Sequence, residues 1–129
     1  MKLPDLHDLD SAGVIEYHGP ADAVEQAAAA AKLRYLSVDL ARANSKRALL
    51  AEFADGLGLP EHFGDNWDAL ADCLEDADWL GTTGVVVRIG HSAAFRKAHP
   101  QDWETAEEIL AEAAEYWRER HLPFWVLVA

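Results

Sequence analysis

The sequence predicts an α/β fold: a small, mostly parallel sheet of three or four strands flanked by helices. Three observations carry that prediction. Short apolar runs alternate with helical stretches along the chain, the order that builds βαβ units and a parallel sheet. The run Val85-Val86-Val87-Arg88-Ile89 is β-branched and almost continuously apolar, as in a strand covered on both faces. The 129 residues, half of them apolar and five of them tryptophan, suffice for one domain around one core.

Each element has its own local reason. Residues 1–13 form a loose lead-in ending at Ser11-Ala12-Gly13. Val14 to Tyr17 is a short strand closed by Gly19-Pro20. From Ala21 to Ala31 alanine, the strongest helix former, dominates, and Asp22 sits near the favourable N-terminal end. Arg34 to Leu40 is a second strand. Asn44 or Ser45 caps a helix carrying Leu49, Leu50 and Phe53, which stops at Gly56 and Gly58. A loop opens at Gly58-Leu59-Pro60 and runs to Gly64, and Asn66 caps a helix from Trp67 to Ala77. After Gly81 and Gly84 come the buried strand Val85–Ile89 and a short helix from Ala93 to Ala98, which Pro100 interrupts. The helix from Asp102 to Arg120 sets Trp103, Ala106, Leu110, Ala113 and Trp117 on one stripe, at spacings of three and four. Phe124 to Val128, after Pro123, is the last strand.

Charge narrows the function. The formal net charge of −12 and a pI near 4.7 repel nucleic acid and anionic membrane surfaces, so neither is expected as a ligand. A basic protein fits. The single cysteine, Cys73, suits a reducing compartment, and the first residues lack the apolar run of a signal peptide. No stretch approaches the ~18 apolar residues that span a bilayer. A soluble, cytoplasmic protein is expected, monomeric when free.

The charge is not evenly spread. Between Arg47 and Arg88 there is no lysine or arginine, yet nine carboxylates occur there: Glu52, Asp55, Glu61, Asp65, Asp68, Asp72, Glu75, Asp76 and Asp78. On the helix after Asn66 the apolar positions are Trp67, Leu70, Leu74 and Ala77, while Asp68, Asp72, Glu75 and Asp76 fall opposite. The helix dipole favours Asp68, but like charges four apart each cost a few tenths of a kcal/mol. Such a face is either simply solvated or built to grip cations, and spacing alone leaves both open.

The segment Leu59-Pro60-Glu61-His62-Phe63-Gly64-Asp65-Asn66-Trp67-Asp68-Ala69-Leu70-Ala71-Asp72-Cys73-Leu74 closely resembles the barstar family, the intracellular inhibitors of small secreted ribonucleases. The family pattern runs Leu-Pro-Glu, two aromatics, Gly-acid-Asn, then a helix with Asp-Ala-Leu and Asp-Cys-Leu. A weaker likeness extends from Arg34 to Ala129. The resemblance thus implies one barstar-like domain over residues 1–129, with 34–129 as the family core and 1–33 as an added strand and helix. It also implies a protein that is not an enzyme, with no catalytic residues, metal or cofactor. Its partner would be a small basic extracellular-type ribonuclease, or a related toxin nuclease, bound one to one.

By the same resemblance the carboxylates of helix and loop take the places of RNA phosphates in the ribonuclease cleft. Asp72 is the central anchor and Asp68 a second pair with basic groups. Glu115 on the last helix is a flanking contact, with Glu119 one turn on. His62, Phe63, Gly64, Asn66, Glu75 and Asp76 complete the expected partner-binding set. The pattern departs at three places: His62 replaces a usual tyrosine, Ala71 replaces a tryptophan of the best-known member, and Glu75 and Asp76 replace small neutral residues. These departures imply a different and more basic ribonuclease.

The remaining residues support plainer roles. Gly64 and Asn66 suit a turn and a cap, Trp67 and Trp79 suit packing, and Cys73 beside Leu70 and Leu74 suits a buried, inert thiol. His7, His18, His91, His99 and His121 are scattered without a zinc spacing, and Asp65, Asp68 and Asp72 lack the close oxygen spacing of a calcium loop. Two alternatives stand beside ribonuclease inhibition. One is immunity against another cationic nuclease or toxin, and the other is a Mg²⁺-dependent enzyme using the paired carboxylates.

Overall fold

The alternation seen in the sequence becomes a sheet with helices on both faces. The computed structural model describes residues 3–59 and 66–129. Among them the chain runs β1 (Val14–Glu16), α1 (Ala21–Ala30), β2 (Arg34–Asp39), α2 (Lys46–Leu57), α3 (Trp67–Leu74), α4 (Ala77–Leu80), β3 (Val85–Gly90), α5 (Ala93–Ala98), α6 (Pro100–Arg118) and β4 (Phe124–Val128). The strands lie in the order β1-β4-β3-β2, and every neighbouring pair is parallel. This is the α/β class expected from the sequence, a small sheet with flanking helices.

The two most apolar runs take the two central places. β3 registers Val86 against Tyr35 of β2 on one side and Trp125 of β4 on the other. Alternating side chains then feed two separate cores. Val85, Val87 and Ile89 of β3, with Phe124, Val126 and Val128 of β4, pack under Leu49, Leu50, Phe53 and Leu57 of α2, Leu70 and Leu74 of α3, and Trp103, Leu110 and Trp117 of α6. Val86, Trp125 and Leu127 face the other way, under Val24 and Ala28 of α1 together with Leu6, Ala12 and Tyr17. A strand buried on both faces has no polar side to show, which explains why β4 is apolar throughout and β3 at every position but Arg88.

Several ends differ from the sequence reading, each for a local reason. The lead-in is less loose than expected. Asp8 caps a 3-10 turn at Leu9–Ser11, Leu6 and Ala12 are buried, and Arg118 of α6 donates to Ala12 O at 2.7 Å. Ser45, not Asn44, caps α2, accepting from Ala48 N at 3.1 Å. Pro100 does not interrupt a helix but opens α6, where a missing N–H and a fixed φ cost nothing. The helix expected from Trp67 to Ala77 stops at Leu74. Asp76 then begins α4 instead, its Oδ1 accepting from Asp78 N at 2.9 Å, since aspartate is a strong N-cap.

Gly56 lies inside α2, and Gly58, with φ 66°, ends it. Alanine at position 56 would favour the helix by about 0.5–1 kcal/mol. Its methyl, however, would fall 2.5 Å from Ser37 O and 2.9 Å from Val38 Cγ2. Overpacking of that kind costs about 1–3 kcal/mol and outweighs the gain. Gly56→Ala is therefore expected to unfold at lower urea than the native chain, with an unchanged m-value.

Candidate protein-interaction site

Asn66 starts the acidic helix. Its side chain Oδ1 accepts from Asp68 N at 2.8 Å, meeting one of the unpaired donors at the helix start. Leu70 and Leu74 are fully buried and fix which face of α3 meets the core. Trp67 is half-buried against the same core, and the Lys46 ammonium lies 5.4 Å from its ring centroid. With that face committed, Asp68 and Asp72 emerge into solvent one turn apart. Among the described residues no cation pairs with either.

The break after Leu74 divides the expected acidic ridge. Glu75 is the half-buried C-cap of α3, and exposed Asp76 caps α4, so neither continues the Asp68–Asp72 line as a fourth helical turn would. Cys73 is half-buried on the flank of α3. Burial, and then the nearby Asp76 and Asp72 carboxylates, push its thiol pKa above the ordinary value, which keeps it protonated and unreactive. Trp67 and Trp79 both pack against the main core, as the sequence suggested.

The neighbouring wall comes from α6. Trp117 is buried and donates its indole Nε1–H to Leu74 O at 2.7 Å, tying the second half of α6 to the end of α3. Glu115 stands exposed two residues before that anchor, and Glu119, also exposed, is the C-cap residue of α6. The structure thus brings Asp68, Asp72, Glu75, Asp76 and Glu115 onto adjoining elements, with Glu119 at the margin. His62, Phe63 and Gly64 lie outside the described residues. No group of three or more His, Cys, Asp or Glu side chains among the described residues is gathered to hold a metal ion.

The family model described as Barstar (barnase inhibitor) matches residues 33–129. The chain belongs to the barstar family. That match begins just before β2 and takes in α2, the connection to α3, α3 itself and α6. β1 and α1 precede it. No curated protein matches the chain. Among the described residues no helix is long and apolar enough to cross a membrane.

Sequence reasoning missed three barstar-chain features that the geometry supplies. They are the indole of Trp117 on Leu74 O, that of Trp79 on Leu57 O at 2.7 Å, and the Lys46–Trp67 stack. Each joins residues far apart in sequence or separated by the loop, where periodicity carries no signal. The capping sequence Asp76-Ala77-Asp78 was visible and would have placed the break.

Proposed function

We propose that this barstar-family chain is a cytoplasmic, monomeric inhibitor that binds one small basic ribonuclease and closes its substrate cleft. Asp72 and Asp68 stand in for successive RNA phosphates, Glu115 adds a flanking contact, and Asn66, Glu75 and Asp76 line the rest of the face. His62, Phe63 and Gly64 are assigned to the same partner contact, with Glu119 at its edge. The observation that carries this reading is the exposure of Asp68 and Asp72 on successive turns of a helix whose other face is locked in the core. Two like charges held together in water cost stability, and a cationic cleft repays that cost. An overall charge of −12 adds long-range attraction for a basic partner.

The test is inhibition itself. Titrating the chain into a panel of small basic ribonucleases while following RNA cleavage should abolish activity at one equivalent for a cognate enzyme. Association should slow about tenfold or more between low and high salt, because exposed charges are screened within about 10 Å at 0.1 M. Capture of a different cationic nuclease, with no ribonuclease inhibited, would move the target to the immunity alternative. Loss of neither RNA nor DNA cleavage with any cationic nuclease would sink the proposal.

A further inference from the structure

We propose that Trp79 and Trp117 are positioning residues for the acidic segment, their indole N–H groups clamping the two helix ends between which it is strung. The proposal rests on the reading of α3 as the docking helix and adds what holds that helix in place.

The argument starts from the carbonyls that a helix end leaves unpaired. At the end of α2, Gly58 adopts φ 66°, Gly58 N–H donates to Asp55 O at 3.4 Å and Leu59 N–H to Ala54 O at 2.8 Å. That arrangement meets Ala54 O and Asp55 O and leaves the later carbonyls, Leu57 O the last of them, to be met otherwise. Trp79 Nε1–H meets it at 2.7 Å. At the end of α3, Glu75 N–H donates to Ala71 O at 3.2 Å and Asp76 N–H to Cys73 O at 3.3 Å. Leu74 O, the last helical carbonyl, accepts from Trp117 Nε1–H at 2.7 Å inside the core. The last carbonyl of α2, before the connection to α3, and the last carbonyl of α3 itself are therefore each gripped by an indole.

Both indoles are themselves fixed to the rigid part of the fold. Arg34 of β2 donates to Trp79 O and Leu80 O and lies 5.8 Å from the Trp79 ring centroid, and Phe124 of β4 meets that ring at 6.2 Å. Trp117 lies within α6 and is 3 % exposed. The remaining core tryptophans give the contrast. Trp103 and Trp125 bury their indole nitrogens without a partner, so packing in this protein does not by itself require that an indole N–H be met. The two that are met are those at the ends of the acidic segment.

The experiment compares Trp117→Phe and Trp79→Phe, which keep an aromatic ring and remove the N–H, in the full chain. Hydrogen exchange of the free protein should show the amides of residues 70–76 exchanging about tenfold faster in Trp117→Phe, with β3 and β4 unchanged. Trp79→Phe should do the same for the amides flanking Leu57. Against a ribonuclease that the native chain inhibits, each variant should dissociate about tenfold faster while associating at the native rate, since no charge has changed. In an Asp72→Ala background Trp117→Phe should add less than twofold, because the indole acts through the carboxylate. Native exchange and native dissociation in both variants would overturn the proposal, as would an equal loss in the Asp72→Ala background. Should Trp117→Phe fail to fold, Trp79→Phe carries both measurements. Should no ribonuclease be inhibited, the functional reading falls and the exchange data alone decide the clamp.

Discussion

Asp72→Ala is expected to raise the dissociation constant for the cognate ribonuclease by on the order of a hundredfold or more. Asp72 sits in the second half of α3, exposed, one turn beyond Asp68, on a helix that cannot rotate because Leu70 and Leu74 are at zero exposure. In the proposed complex its carboxylate is taken out of water against several basic groups that evolved to hold a phosphate. Truncating one partner of such a desolvated pair leaves the opposing cations unpaired, which costs about 2–5 kcal/mol and appears mainly in the dissociation rate. Glu119→Ala supplies the control. That residue is exposed at the C-cap of α6, where a rim charge contributes about 0–1 kcal/mol, so it should change affinity less than about fivefold and should act on the association rate. Surface plasmon resonance on both variants separates the two effects. Equal, mild losses would mean that α3 is not the docking element.

How much of this was legible in the sequence depends on the range of the interaction. The elements follow from local chemistry: alanine-rich α1, Ser45 and Asn66 as caps, Gly58 as a stop, and the run of β3, apolar at every position but Arg88. The sequence also placed Asp68 and Asp72 on the polar side of α3, because Leu70 and Leu74 fix the face at helical spacing. The end of α3 is the harder boundary, because Glu75-Asp76-Ala77-Asp78 also fits the polar face of a continuing helix and its capping signal at Asp76 competes with that reading. Two influences decide against continuation: the local cap by Asp76 and the indole of Trp117, 43 positions away from Leu74. The strand order could not be read either. That β1 pairs with the last strand, Val14 against Val126, is a contact across almost the whole chain. The lead-in was underrated for the same reason, since Leu6 and Ala12 are buried only because a sheet face assembled from β3 and β4 lies beneath them.

That second face sets up the other large effect. The family match begins at residue 33, so the buried side chains that cover Val86, Trp125 and Leu127 (Leu6, Ala12, Tyr17, Val24 and Ala28) come from the part of the chain that precedes it. Val24 and Ala28 on α1 are at zero exposure there, and Tyr17 N–H donates to Val128 O at 2.9 Å at the edge of the cover. Val24→Asp would force a carboxylate into this apolar layer. An uncompensated buried charge costs about 3–5 kcal/mol, a large share of the ~5–15 kcal/mol by which a domain is stable. The urea midpoint should fall steeply, with tryptophan emission shifting to the red at lower urea because Trp125 lies under α1. The sign of the pH dependence is also set. Burial raises the folded-state pKa of the introduced aspartate above its unfolded value, so the deficit relative to the native chain is full above that raised pKa and shrinks as pH falls through it. Binding by the folded fraction should change less than about threefold, because α3 and its carboxylates lie on the other side of the sheet. A variant that unfolds at the native urea concentration would show that α1 contributes nothing to holding the sheet. One that unfolds early and also loses the ribonuclease at native-like folded fraction would show that the two faces are not independent.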